Sequence, residues 1–471
     1  MSVVLFWHRR DLRLSDNVGL TAARQRSPRV VGVFCLDPHL LQKTQPAPAR
    51  VAYMLGCLRQ LQDSYRQQGG QLLILRGEPS ETLPELASAL NAHSLFFNLD
   101  IEPYGRQRDE KVQEAFKQKG IPVETFWDQL LHAPGDVVSM AGQFYTVYTP
   151  FWKNWRQKQK AAPLPRPENF QGLTAEEIAR TESIDLPSAK DLGFVWDNGF
   201  MLSPGETSAL ERLEEFCTGS IEAYGEERNF PANDGTSRLS AAMKFGAIGV
   251  RTVWDATLKI ADNCRSDEAL QGVTTWQQEL AWREFYQHGL YFLPRLAHEP
   301  YRKEFLDFPW SDNEEHFQAW CEGKTGYPIV DAAMRGMNET GWMHNRCRMI
   351  VASFLCKDLI INWQRGEEYF MKKLYDGDLS ANNGGWQWSA SCGMDPKPLR
   401  IFNPATQAQK FDADGEYIRR WLPELGSIDT EFLISGKISN LERYRCGYVE
   451  PIVDHNAQQR EFKRLYGLQK Q

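Results

Sequence analysis

Four short runs of the chain hold residue types that can do chemistry, at spacings that bring them together. In WQQELAWREFY (Trp276–Tyr286), Glu279, Trp282, Arg283 and Tyr286 fall on one face of a helix by i+3 and i+4 spacing. An acid, an indole, a guanidinium and a phenol make a poor apolar core and a good wall for a flat ligand that forms hydrogen bonds. A salt-bridged face around a buried Trp fits the same segment equally. In GTSRLS (Gly235–Ser240), small hydroxyl residues precede an apolar helical pattern. Such residues cap a helix, and the same N–H groups and hydroxyls can hold a phosphate; alone, the run reads as a cap. The third run joins GYPIVDAAMR (Gly326–Arg335) to GWMHNRCRM (Gly341–Met349), which gathers Asn, Arg, His, Trp and Met at a helix start. Arg346 and Arg348 suit phosphates and Asn345 suits a polar ring edge, although a solvated basic face would look the same. The fourth, DGDLSANNGGWQW (Asp376–Trp388), reads as a loop shaped around a ligand or as a turn-rich surface loop anchored by Trp. Its DGD start resembles a calcium loop. Gln387 stands where the closing glutamate belongs, so no metal is expected.

Those runs need elements to carry them. Residues 1–130 alternate short apolar strands (Val3–His8, Arg29–Leu36, Gln71–Leu75, Ser94–Asn98, Ile121–Phe126) with helical patterns (Leu12–Arg24, Arg50–Gln68, Pro79–Leu90, Tyr104–Lys119). The alternation predicts an α/β, doubly wound, Rossmann-like parallel sheet with helices on both faces and a crevice at the carboxyl ends of its strands. Polar residues fall there: Arg9-Arg10-Asp11, Asp37, Asp100 and Glu102. Neither GxGxxG after the first strand nor GxxxxGK[ST] occurs, so the usual dinucleotide and nucleoside-triphosphate readings lack their motifs. Residues 131–200 change character, and AAPLPRP (161–167) reads as a semi-extended connector. From 201 to 471 strand patterns stop. Helical spacing runs through Glu206–Tyr224, Ser240–Lys259, Asp267–Leu293, Asn313–Glu322, Val330–Thr340, His344–Asn362 and Gly366–Tyr375, which predicts an all-α second domain.

Composition narrows the class. The 471 residues are 42% hydrophobic and 24% charged, which fits a soluble globular chain of two or three domains and no disordered or coiled-coil protein. The start, MSVVLFWHRRDLRLSDN, places its charges after the apolar run, the reverse of a secretory signal, and no apolar stretch reaches the ~18 residues of a spanning helix. A cytoplasmic location without a membrane partner is expected. The nine Cys contain no CxxC pair, which predicts free thiols and no zinc or iron–sulfur site. With a net charge of −7, a nucleic-acid partner requires a local basic patch. Most of the 15 Trp read as core, though Trp also suits stacking on flat rings.

Taken in order, Arg9–Asp11, GTSRLS, WREFY, GYPIVDAAMR, GWMHNR and DGDLSANNGGWQW resemble the photolyase/cryptochrome family from residue 2 to about 465. Within it they are most similar to microbial class I cyclobutane pyrimidine dimer photolyases, cyanobacterial ones especially. The resemblance implies FAD folded in a U inside the helical domain. Tyr224 and the run Thr236, Ser237, Arg238, Leu239 and Ser240 would hold its phosphates and ribityl chain. Trp276, Arg283, Trp342, Asn345, Arg348, Asp376 and Asp378 would line its rings, with Asn382 facing flavin N5. An acid or thiol at that last position, as in many cryptochromes, tunes the redox states differently. The implied lesion pocket is Glu279, Trp282, Asn345, Arg346, Met349 and Trp388. In it the two indoles sandwich a dimer flipped out of the duplex, and Glu279, as a buried acid with a raised pKa, donates to a thymine carbonyl. Arg228, Arg400 and Lys410 would meet phosphates at the cavity mouth. Trp386, Trp363 and Trp310 would pass electrons between flavin and surface, whereas their spacing alone reads as packing. The implied antenna site is Phe34, Cys35, Leu36, Asp37, Arg50, Asp100 and Glu102 with Lys244 from the helical domain. It resembles the 8-hydroxy-5-deazaflavin type, with methenyltetrahydrofolate as the alternative. The implied enzyme is a monomeric DNA-repair lyase acting on ultraviolet-damaged DNA: light-excited, reduced, anionic FAD lends an electron to the dimer, the ring splits and the electron returns. A thermal flavin oxidoreductase would need a nicotinamide fingerprint, and none is present.

Overall fold

The computed structural model describes residues 2–43, 46–394 and 399–468. Strands β1 (Val4–His8), β2 (Val30–Leu36), β3 (Leu72–Arg76), β4 (Ser94–Asn98) and β5 (Val123–Phe126) form one parallel sheet in the order β3-β2-β1-β4-β5. Val4 lies opposite Val30 on one side and Ser94 on the other, so β1 is central. Helices α1 (Val18–Arg26), α2 (Pro48–Gln67), α3 (Pro79–Ala89) and α4 (Pro103–Gln118) make the crossovers. The strands are nearly continuous apolar runs because both faces are covered. Phe6, Phe34, Ile74 and Phe96 pack into a core shared with α2 and the helical half. Leu5, Trp7, Val33, Leu73 and Phe97 pack with α3 and α4 residues such as Leu83, Leu86, Val112 and Phe116. Chain order reverses between β1 and β4, and that switch point opens the crevice beyond Arg9, Arg10, Asn98 and Asp100.

The segment after the sheet carries α5 (Tyr148–Gln157) and α6 (Ala175–Ala179). The helical half begins with α7 (Glu206–Thr218), α8 (Tyr224–Glu227), α9 (Ser240–Phe245), α10 (Val250–Ala261) and α11 (Asp267–Phe292). It continues through α12 (Glu314–Glu322), α13 (Pro328–Thr340), α14 (Asn345–Lys357), α15 (Trp363–Lys373) and α16 (Leu379–Ala390). It closes with α17 (Pro404–Phe411), α18 (Glu416–Trp421), α19 (Thr430–Ser435), α20 (Asn440–Cys446) and α21 (His455–Leu468). Among the described residues no helix is long and apolar enough to cross a membrane.

Three expectations change. The first helix starts at Val18 and not at Leu12, because residues 9–17 spend their polar groups elsewhere. Arg13 donates to Asp128 at 2.7 Å and to the Gly246 carbonyl at 3.1 Å, while Asn17 caps α1 by accepting from Leu20 N. The expected helix Ser240–Lys259 is two helices, broken at Gly246 (φ +62°), where a Cβ would lie 2.0 Å from the Arg10 carbonyl oxygen. Only glycine lets the chain turn there against the sheet domain. The run Asp376–Trp388, expected as a loop, is helical from Leu379, since Asp378 caps it by accepting from Ala381 N at 3.1 Å.

The two halves are stitched by buried charge. Arg251 of α10 bonds Asp16 at 2.7 Å and Asp128 at 2.6 Å. Arg10 bonds Glu102 at 2.6 Å and, with its other terminal nitrogen, Asp378 at the head of α16.

Candidate active site

The amphipathic spacing read in Trp276–Tyr286 belongs to α11, and it places Glu279 and Trp282 on one half-buried wall. Arg228, the C-cap of α8, donates to Glu279 Oε1 at 2.6 Å, with its guanidinium 5.3 Å from the centre of the Tyr224 ring. This corrects one expectation: Glu279 is not a buried acid, since its side chain is 31% exposed and paired. Arg228, expected at a DNA phosphate, has Glu279 as its carboxylate partner in the protein alone. At the start of α14, Arg346 donates to Asn229 Oδ1, lies 4.3 Å from the Phe411 ring centre and reaches to 3.8 Å from the Met349 sulfur. Asn345 Nδ2 is 3.9 Å from the same sulfur. His344 caps α14, its Nδ1 accepting from Arg346 N at 3.1 Å. Burial, together with the guanidiniums of Arg346, Arg348, Arg228 and Arg238, pushes that imidazole down to about 3. Arg228, Arg348 and Arg238 are each paired with a carboxylate, Glu279, Asp376 and Asp234, so among the four it is Arg346, bonded to a neutral amide, that offers net positive charge to a DNA phosphate. Lys410 lies 5.3 Å from the Phe411 ring centre, and Arg400 is exposed, its carbonyl held by Lys357. Trp388 is half-buried on α16.

A second group lies between α14 and α16. Arg348 donates to Asp376 Oδ2 at 2.7 Å, while Asp376 Oδ1 is buried without a protein partner. Asp378 is buried; Arg10, Lys244 and Arg283 outweigh that burial and hold it well below the usual carboxylate range. Asn382 Nδ2 donates to the Glu367 carbonyl at 3.1 Å, which turns its Oδ1 away as an acceptor. Next to it, Asn383 donates to Glu367 Oε1 at 3.1 Å, and burial pushes that carboxyl up to about 8. The loop before α9 is shaped by Arg212 of α7, which donates to the carbonyls of Thr236 at 2.7 Å and Ser237 at 3.1 Å. Arg238 there has φ +55°, Leu239 is buried and Ser240 opens α9. Trp276 packs on Phe216 at 5.6 Å, which meets Tyr224 at 5.9 Å. Trp342 meets His344 edge-on at 6.4 Å, and Arg283 donates to the Gln129 carbonyl at 2.8 Å. FAD fits these residues. A buried carboxylate oxygen and an amide oxygen await donors, and the face of α16 at Gly385 is open, with nothing within 4 Å of where a Cβ would stand. Among the described residues no His, Cys, Asp and Glu side chains gather to hold a metal.

The three tryptophans expected to pass electrons lie around α15. Trp386 presses on α15 where Gly366 lacks a Cβ, one turn from buried Trp363. Trp310 precedes Ser311, whose N–H donates to the Ile360 carbonyl at 2.7 Å and which pairs with Ile361. That places Trp310, half-buried, beside the start of α15. Trp386 also meets Trp320 edge-on at 6.0 Å, a neighbour that sequence reading did not single out.

In the crevice, Asp37 accepts from the Tyr104 hydroxyl at 2.5 Å, and Tyr104 stacks on His39 at 4.0 Å. Lys244 reaches Glu102 at 3.6 Å; burial and Arg10 lower its ammonium pKa. Asp100 lies 3.5 Å from Arg10. Phe34 and Leu36 are core side chains, and the Cys35 thiol, 3.9 Å from the Thr82 hydroxyl, is pushed up to about 12 by burial. Arg50 departs from expectation. It donates to the Met371 carbonyl at 2.6 Å and the Leu374 carbonyl at 2.8 Å, capping α15 across the domain seam.

Known proteins share this arrangement. Residues 4–168 match the DNA photolyase family, and residues 276–467 match the FAD binding domain of DNA photolyase. Over 466 residues the chain is 57% identical to the deoxyribodipyrimidine photo-lyase of a Synechococcus species, covering 98% of this chain and 96% of that protein. The chain belongs to the DNA photolyase family. The Escherichia coli deoxyribodipyrimidine photo-lyase is 38% identical over 97% of this chain and 96% of its own length. The crystal structure of a bacterial class III photolyase from Agrobacterium tumefaciens superposes with a TM-score of 0.91 at 33% identity, covering 100% of this chain and 98% of that one. A Synechocystis cryptochrome superposes at 0.90 with 26% identity, covering 99% of each chain. Within this photolyase fold, sequence reasoning missed Arg212, Asn229, Glu367 and Tyr104. Arg212 was findable only as one cation on a mixed helix face, and Glu367 only as an acid on an otherwise apolar stripe of α15.

Proposed function

We propose that this photolyase is a deoxyribodipyrimidine photo-lyase, using light to split cyclobutane pyrimidine dimers in DNA. The observation that carries the reading is the 57% identity to such an enzyme over 98% of the chain, since the fold alone is shared with a cryptochrome. Bound FAD in its reduced form supplies, on excitation, the electron that opens the cyclobutane ring and takes it back afterwards, with no net redox change.

The chain's own residues do the rest. Arg346, Arg400 and Lys410 meet backbone phosphates at the cavity mouth, so binding weakens with salt. Trp282 and Trp388 take the faces of the extruded dimer, whose saturated ring stacks poorly inside a duplex. Glu279, as a paired carboxylate, accepts a thymine N–H. The Arg228 guanidinium beside it is the donor to a thymine carbonyl, the role expected of a protonated acid. Thr236–Ser240, Tyr224, Trp276, Arg283, Trp342, Arg348, Asp376 and Asp378 hold the cofactor, and Asn382 offers its oxygen to the flavin edge. Trp386, Trp363 and Trp310 carry electrons inward from the surface. The crevice of Asp37, Asp100, Glu102 and Lys244 takes a flat hydroxylated antenna, 8-hydroxy-5-deazaflavin, and methenyltetrahydrofolate is distinguished from it by the absorption spectrum of the purified protein.

The test is blue-light illumination of the reduced holoprotein with ultraviolet-irradiated oligothymidylate. Disappearance of dimers supports the reading. Intact dimers with fully reduced flavin overturn it.

A further inference from the structure

Helix α5 lies in the segment expected as a connector, yet its buried face of Tyr148, Phe151, Trp152 and Trp155 runs along α11. The Tyr148 ring stacks on Trp282 with centroids 3.5 Å apart and planes 6° apart. Its hydroxyl donates to the Gln278 carbonyl at 2.9 Å. One turn on, Phe151 meets Phe285 edge-on at 5.4 Å. A turn further, Trp155 Nε1 donates to Glu284 Oε2 at 2.7 Å. These anchors fix the register of α5 along the helix that bears the lesion wall.

Ring overlap that close covers much of one face of Trp282, and Phe285 and Tyr286, each 5.6 Å away, pack beside it on α11. The indole cannot change rotamer without giving up the stack, so its other face and its edge are set in advance. An indole on a free helix face would sample rotamers and lose that freedom on binding; the stack removes this cost beforehand. We propose that Tyr148 is a positioning residue for lesion recognition, acting through Trp282. The proposal rests on the photo-lyase reading. It predicts an effect on the preference for damaged over undamaged DNA, because phosphate contacts on α14 and beyond do not involve α5.

The experiment compares dark binding of the FAD-loaded protein to an oligonucleotide with one thymine dimer and to the same undamaged sequence. Tyr148→Ala and Tyr148→Leu are expected to weaken dimer binding roughly 3- to 10-fold, the range for losing an aromatic pair. Binding of undamaged DNA and the flavin spectrum stay as in wild type. Tyr148→Phe keeps the ring and restores the preference, and Lys153→Ala on the exposed side of α5 leaves it intact. Tyr148→Leu fills the apolar space without a ring and covers the case in which Tyr148→Ala fails to fold. An unchanged preference in the Leu variant, an equal loss on both DNAs, or an equal loss in Tyr148→Phe overturns the proposal. If wild type itself shows no preference for the dimer, it is the photo-lyase reading that falls.

Discussion

Replacing Glu367 by Gln tests whether a proton is stored beside Asn382 and Asn383 on α16. Glu367 is 8% exposed on α15; burial pushes its carboxyl up to about 8, against the pull of the Asn383 amide at 3.1 Å. In the unfolded chain the same group titrates at its ordinary 4.5. Between those values the folded protein holds a proton that the unfolded chain has lost. The stabilisation is therefore complete below pH 4.5 and declines as pH rises, by ~1.4 kcal/mol per pH unit, until it levels above about 8. Gln has the shape of the neutral acid, still accepts from Asn383 and does not titrate. The midpoint of thermal unfolding of Glu367→Gln, taken relative to wild type, should thus be flat below pH 5, rise from there to pH 8 and flatten again. Each kcal/mol moves the midpoint by only ~1 °C in a chain of 471 residues. Glu284, raised to about 7, and Asp358, raised to about 6, titrate in both proteins and cancel in the difference. Circular dichroism melts of the holoprotein from pH 5 to 9 at fixed ionic strength give the curve. Asn382 is bonded to the backbone carbonyl of Glu367, so the flavin spectrum should not move. A pH-independent difference between the two proteins would refute the reasoning.

Three further outcomes follow from named contacts. Arg348→Ala leaves the Asp376 carboxylate buried and unpaired, a cost of ~3 kcal/mol or more, and the protein should lose FAD on gel filtration, where wild type retains it. Trp386→Phe should abolish most light-driven reduction of the oxidised cofactor by an external thiol, while chemically reduced protein repairs dimers at the wild-type rate; equal photoreduction in both proteins would remove the path role. In a double-mutant cycle on lesion affinity, Arg228→Ala and Glu279→Ala should couple by ~0.5–1 kcal/mol, because the pair is 24% and 31% exposed and meets at 2.6 Å; zero coupling would separate them functionally.

The sheet was legible because a strand covered on both faces must be apolar along its whole length, and β4 matches its expected bounds of Ser94–Asn98. What escaped was fixed by distant partners. The run Leu379–Ala390 is rich in Asn, Ser and Gly, which are poor helix formers, and it is helical through its Asp378 cap and its packing on neighbouring helices. Glu279 looked like a lone acid because its partner Arg228 stands 51 residues away. Helix α5 did carry a signal, with Tyr148, Phe151, Trp152 and Trp155 at i, i+3, i+4 and i+7, and the prolines that follow it gave the segment the look of a connector.

The same limit bears on how the two sites communicate. Arg10, read from the strand ends as a crevice residue, and Asp378, which the family resemblance implies as a flavin-lining residue, stand 368 positions apart. In the fold one guanidinium serves both, reaching Glu102 and Asp100 on the crevice side and Asp378 on the helical side. Lys244 touches the same set through Glu102. Buried charges in such a network are costly to leave unpaired, so removing Arg10 would strand carboxylates at both sites at once. The sheet crevice and the head of α16 are therefore one electrostatic unit, and these shared charges fix the seam between the two halves.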